Sequence, residues 1–114
     1  MSAITTHVLD TARGRPASGV PVTLEVRSIE GDWKLLGRGS TDADGRSKSL
    51  MPEGFTLATG TYRLTFDTAS YFRAYNLEGF YPLVKIVFEV RDRSQHYHVP
   101  LLLAPHGYST YRGS

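Results

Sequence analysis

The chain contains no cysteine, so no thiol can act as a nucleophile, and four histidines carry the side-chain titration that falls near neutrality. Two of them, His96 and His98, stand one residue apart in "HYHVPLLL". On a β-strand that spacing points both rings to one face. Two imidazoles this close disfavour joint protonation, and one is moved toward the neutral form. A neutral imidazole near neutral pH can take a proton from water, as a general base must. The same His-x-His spacing also fits zinc, with His7 as a third ligand. No cysteine and no obvious carboxylate joins such a cluster, and Arg46 would oppose a cation placed nearby. His106, in the turn "APHG", is assigned no role. Arg46 follows "DADG" and Arg112 stands in the closing Tyr111-Arg112-Gly113-Ser114. By residue type alone each reads as an ordinary solvated arginine, and the last four residues read as a frayed end.

The elements that must position these groups are written in a period of two. Val20, Val22, Leu24 and Val26 alternate with polar neighbours, as do Tyr62, Leu64 and Phe66, and Val84, Ile86, Phe88 and Val90. In the histidine segment Tyr97, Val99, Leu101 and Leu103 share the core face, and His96, His98, Pro100 and Leu102 share the other. A second face of His, Pro and Leu is too apolar for a fully solvated surface and suits a pocket wall or a subunit interface. Near the start, Ile4, Thr6 and Val8 oppose Thr5, His7 and Leu9, so His7 also faces away from the core.

Gly, Pro and Asp clusters at 12–19, 30–32, 42–45, 51–54, 58–60 and 104–107 separate the runs. Strands are expected near 3–10, 20–29, 32–40, 45–49, 61–67, 82–91, 95–104 and 107–113. "TASYFRAYN" (68–76) is expected as a short helix, with Thr68 or Ser70 near its start and Asn76 near its end. Closely spaced strands favour an antiparallel sandwich over a parallel α/β sheet. The fold class is therefore all-β: a two-sheet sandwich of about eight strands with one helix.

The totals agree. A chain of 114 residues, 40% apolar and 21% charged, makes one domain (1–114) with a modest core. A net charge of +2 from scattered bases gives no nucleic-acid groove. Met1 to Leu9 lacks a basic start and a long apolar stretch, so neither a secretory signal nor a membrane span is expected. With no disulfides, a cytoplasmic home is the expectation.

The ending "HYHVPLLLAPHGYSTYRGS" (96–114) closely resembles the 5-hydroxyisourate hydrolase family, the transthyretin-related enzymes of purine breakdown. "ITTHVLDTARGRPASGVPVTLE" (4–25), "TDADGR" (41–46) and "FYPLVKIVFEV" (80–90) resemble the same family. The likeness runs through nearly the whole chain and is most specific in the final Tyr-Arg-Gly-Ser, which hormone-carrying transthyretins lack. It implies a transthyretin-like sandwich assembled as a homotetramer, a dimer of dimers, with sites between dimers. It implies hydrolysis of the cyclic amide of 5-hydroxyisourate to 2-oxo-4-hydroxy-4-carboxy-5-ureidoimidazoline, on the route from urate to allantoin. The family's catalytic positions fall on His7, Arg46 and His98, and its substrate-binding positions on His7, Arg46, Tyr111, Arg112, Gly113 and Ser114; His96 would tune His98. No cofactor, metal, nucleic acid or membrane is implied. Two rivals stay open: a non-catalytic carrier of a small ligand, and a zinc-dependent cyclic amide hydrolase.

Overall fold

The structure, a computed structural model, describes residues 3–114; Met1 and Ser2 of the expected domain lie outside the described residues. Nine strands and one helix follow in the order β1 (Ile4–Asp10), β2 (Arg15–Pro16), β3 (Pro21–Arg27), β4 (Trp33–Ser40), β5 (Arg46–Ser47), β6 (Gly60–Phe66), α1 (Thr68–Ala74), β7 (Val84–Val90), β8 (Tyr97–Ala104) and β9 (Gly107–Thr110). One sheet runs β4-β3-β6-β7. The other runs β2-β1-β8-β9, with β5 also paired to β1.

The alternation places the core as expected. Ile4 and Val8, Val22 and Leu24, Tyr62, Leu64 and Phe66, Val84 and Ile86, and Tyr97, Val99, Leu101 and Leu103 meet between the sheets as one buried cluster. Side chains of the intervening residues face outward, as the two-residue repeat of a strand requires.

One pairing departs from the antiparallel expectation. β1 and β8 lie parallel, in register from Ile4 opposite Tyr97 to Asp10 opposite Leu103. Hairpin signals report only neighbours in sequence. A parallel pair needs a long crossover, and here the whole second sheet and α1 supply it. Segment 12–19, read as turn alone, contains the two-residue β2, which pairs Leu9 with Pro16 and Asp10 with Arg15. β9 stops at Thr110 rather than 113, yet the chain rejoins the sheet through a bridge between His98 and Gly113.

The helix is capped one residue upstream of Thr68. Asp67 Oδ1 accepts from the Ser70 amide at 3.1 Å, satisfying an N–H that has no helical partner. Asn76 adopts φ 56°, and the Asn76 and Leu77 amides donate to the Arg73 and Phe72 carbonyls at 3.0 and 2.9 Å. That pattern is a Schellman termination, with asparagine tolerating the left-handed position. α1 is fastened to the first strand by a buried pair: the Tyr71 hydroxyl donates to Asp10 Oδ2 at 2.6 Å. The Arg13 amide donates to the other Asp10 oxygen at 3.0 Å. Burial, reinforced by the Asp10 carboxylate, pushes the Tyr71 hydroxyl up to about 12. Among the described residues no helix is long and apolar enough to cross a membrane.

Candidate functional site

The outer face of the first sheet gathers the chemistry. β1 is flanked on one edge by β8 and on the other by β5. Thr5 lies opposite His98, and His7 lies opposite Arg46. Thr5 and His7 share a face because they are two residues apart; Ile4, Thr6 and Val8, on the opposite face, are buried. His7 therefore stands between the arginine of one neighbouring strand and the histidine of the other.

The turn at 42–45 aims Arg46. Asp42 Oδ1 accepts from the amides of Asp44 at 2.9 Å and Arg46 at 3.0 Å, and these bonds, led by that of Arg46, hold its carboxyl below the usual range. Gly45 adopts φ +77°, and a Cβ there would sit 2.4 Å from the Val8 carbonyl oxygen. Only glycine allows that approach. The turn also orients His7, whose Nε2 lies 2.9 Å from the Asp44 carbonyl oxygen. A carbonyl can only accept, so Nε2 carries the proton and Nδ1 is the nitrogen left for a further partner.

His98 is half-buried, its ring centroid 6.5 Å from that of His7 and 6.4 Å from that of His96. Its Nδ1 lies 2.8 Å from Thr5 Oγ1, which lies 2.9 Å from His96 Nε2. Burial pushes the His98 pKa below the ordinary imidazole value, and the nearby Arg46, His7 and His96 push it the same way. All four effects disfavour imidazolium, so His98 is neutral at neutral pH. A cavity of about 530 Å³ opens here, lined by Thr5, Arg46, Lys48, His96, His98 and Ser114 among others. Gly113 lies close against the His98 ring. Its amide donates to the His98 carbonyl at 2.8 Å.

Three lining residues, Thr5, Thr6 and Lys48, are assigned no role from the sequence. Thr5 stands two before His7 and Lys48 two after Arg46, and that same-face spacing was the available signal. Conversely, Tyr111 and Arg112 point elsewhere within one chain. Tyr111 lines a separate cavity of about 260 Å³ with Phe88, Tyr97 and Val99. Arg112 donates from Nη2 to Gln95 Oε1 at 2.7 Å and stacks its guanidinium 4.5 Å from the centre of the Tyr97 ring. His106 is exposed at the β8–β9 turn.

Among the described residues no group of three or more His, Cys, Asp or Glu side chains is disposed to hold a metal ion. One nitrogen of each ring is engaged within the protein, His96 Nε2 and His98 Nδ1 by the Thr5 hydroxyl and His7 Nε2 by the Asp44 carbonyl.

The architecture has counterparts in known proteins. The family model for the HIUase/Transthyretin family matches residues 4–113, and the chain belongs to that family. The 5-hydroxyisourate hydrolase 2 of Rhizobium meliloti is 49% identical over 116 residues, covering 97% of this chain and 95% of that protein. The solved 5-hydroxyisourate hydrolase of Klebsiella pneumoniae is 36% identical, covers 100% of both chains and superposes with a TM-score of 0.85. Sea bream transthyretin in complex with thyroxine is 29% identical, covers 97% of this chain and 94% of its own, and superposes with a TM-score of 0.91. The backbone thus matches a 5-hydroxyisourate hydrolase and a thyroxine-bound transthyretin alike, and the side chains must separate them.

Proposed function

We propose that this chain hydrolyses 5-hydroxyisourate to the ring-opened carboxyureidoimidazoline of urate degradation. The observation that carries the reading is the grouping of His7, Arg46 and His98 on one outer sheet face, with Arg46 and His98 lining the cavity there, in a chain whose relative from Rhizobium meliloti, 49% identical, is a 5-hydroxyisourate hydrolase. A thyroxine carrier needs no such acid–base pair.

Neutral His98 takes a proton from water on Nε2, the nitrogen not engaged by Thr5. The water oxygen bonds to the ring amide carbonyl carbon. Arg46 stabilises the oxyanion and holds the ureide edge with two donors of its planar guanidinium. Collapse breaks the ring C–N bond, the departing nitrogen takes a proton from a histidine, and the product is a carboxylate plus an opened ring. One water is consumed and no electrons are exchanged. His7, its Nε2 proton fixed by Asp44, presents a bare Nδ1 that orients the water by accepting from it. A positioned acid–base group contributes about 10²–10⁴-fold. Ser114 lines the cavity beside His98, and Gly113 packs close to the His98 ring.

The working unit in this reading is a homotetramer, a dimer of dimers in the cytoplasm, with the cavity completed between dimers. Supporting it are the half-buried Leu102 on the outer face of β8 and the exposed Val87 and Tyr111. Tyr111 and Arg112 would then reach substrate only through the assembled interface.

The test is an ultraviolet assay with freshly generated 5-hydroxyisourate. Acceleration well above spontaneous decay, retained in excess chelator, is expected. Decay at the spontaneous rate would overturn the enzyme reading in favour of a carrier, and loss of activity in chelator would favour a zinc hydrolase.

A further inference from the structure

Thr5 is not one of the three groups that the hydrolysis asks for, yet its hydroxyl bridges two of the histidines. Oγ1 lies 2.8 Å from His98 Nδ1 and 2.9 Å from His96 Nε2. The residue is only 8% exposed, so bulk water does not compete for these bonds. A hydroxyl has one proton to give. It donates to one of the two nitrogens and accepts from the other, which must carry a proton. The two rings are therefore locked in the same tautomer: Nδ1–H on His98 requires a bare Nε2, and so Nδ1–H, on His96, and the reverse arrangement makes both rings Nε2–H.

The surroundings choose between the two states. The cavity in front of His98 is lined by Arg46 and Lys48, which only donate. A bare His98 Nε2 faces them better than an N–H does. His96 is exposed, so its Nδ1–H is satisfied by water. We propose that Thr5 is a positioning residue that ties His98 to His96 through a shared hydroxyl proton. It holds neutral His98 as the Nδ1–H tautomer, with Nε2 bare, and lets His96 carry the charge that arises when His98 accepts a proton.

The step balances. As His98 Nε2 takes the proton of the attacking water, the Nδ1 proton passes to Thr5 Oγ1 and the hydroxyl's own proton passes to His96 Nε2. His98 finishes neutral as the Nε2–H tautomer, Thr5 is unchanged, and His96 is imidazolium. Delivery of the Nε2 proton to the leaving nitrogen runs the relay backward. The groups facing His98 are His7 from β1, Arg46 from β5, Lys48 just beyond it and His96 preceding β8. All are cationic or can become so. A positive charge on exposed His96, in water, is opposed less than one on half-buried His98 among these neighbours.

The proposal rests on the hydrolase reading for its kinetic consequence but not for its tautomers. The experiment compares the intact protein with Thr5→Val, Thr5→Ser, His96→Asn and the Thr5→Val/His96→Asn double variant. Nitrogen-resolved NMR of labelled histidines, without substrate, should show neutral wild-type His98 as the Nδ1–H tautomer. In Thr5→Val the His98 population should move toward Nε2–H, and in Thr5→Ser it should not. With 5-hydroxyisourate, Thr5→Val should lower kcat about tenfold, at the low end of the acid–base range, with KM within about twofold and the acid limb of the pH profile displaced. Thr5→Ser should recover most of kcat, and the double variant should be no slower than Thr5→Val, because both changes cut one path. An Nε2–H His98 in the wild type, or additive losses in the double variant, would overturn the relay. An inactive wild type with the expected tautomers would instead overturn the hydrolase reading alone.

Discussion

Gly113 packs against the face of His98. Its amide donates to the His98 carbonyl at 2.8 Å, and a Cβ added at Gly113 would come within 2.6 Å of His98 Cδ2. The ring cannot retreat freely, because Nδ1 is held by Thr5. Gly113→Ala should therefore tilt His98 rather than unfold the sandwich. Displacing a reacting group by about 1 Å can cost about 10²-fold. Steady-state kinetics should show kcat falling between about tenfold and 10²-fold while the thermal midpoint changes little. Unaltered kcat would mean that the close approach has no part in positioning His98.

The Tyr71–Asp10 bond predicts the converse pattern. Tyr71→Phe leaves a buried carboxylate with the Arg13 amide as its remaining partner. Leaving such a group underpaired costs about 1–3 kcal/mol. Urea unfolding should show a loss of that size with little change in m, and the folded fraction should keep its kcat, because Asp10 is buried at the end of β1 away from Thr5 and His98. A stability equal to wild type would show that water or Arg13 replaces the lost hydroxyl.

Much of this was legible in the sequence, for a physical reason that also marks the limit. Faces are written locally. The alternation in 97–103 and 4–8 put His98 and His7 outside the core, and Asn76 marked the helix end. Adjacency is not written locally. Nothing near "THVLD" says that β1 pairs in parallel with a strand about ninety residues on, by the register of Thr5 with His98. Thr5 consequently carried no signal beyond its same-face spacing from His7, and the contact with His96 became visible only with the pairing. The tail illustrates the same limit. Residues 111–114 follow one another, yet Gly113 and Ser114 sit beside His98 while Tyr111 and Arg112 turn to Tyr97 and its neighbours.

Two glycines with similar backbone angles should respond differently to alanine. Gly14 and Gly45 have φ +67° and +77°. At Gly14 an added Cβ meets nothing within 4 Å, so only the left-handed strain remains, roughly 1 kcal/mol. At Gly45 it meets the Val8 carbonyl oxygen at 2.4 Å and the Pro16 Cβ at 3.1 Å. Relief there must move the turn that holds Arg46 opposite His7. Gly45→Ala should lose more stability than Gly14→Ala, by about 1–3 kcal/mol, and should also raise KM and lower kcat. Equal losses in chemical denaturation, with equal kinetics, would show that the turn relaxes without disturbing Arg46.

The depressed His98 titration sets the pH behaviour. Burial first, then Arg46, His7 and His96, hold its folded pKa below the ordinary value of about 6.5. A base must be neutral, so kcat/KM should stay on its plateau as pH falls to that ordinary value and decline only below it. Linkage has the same sign: the unfolded chain binds the proton more readily than the folded one. Above the unfolded pKa both states leave His98 neutral and it exerts no pH effect. As pH falls from there through the lower folded pKa, its contribution to stability is progressively lost. Arg46→Gln removes one cation from beside His98, so the acid limb should move upward, toward the ordinary value, in addition to any loss of oxyanion stabilisation. The check is a pH series of kcat/KM for wild type and Arg46→Gln beside NMR titration of His98 in each. A limb that stays in place, or moves to lower pH, would show that the group controlling the rate is not His98 in the field of Arg46.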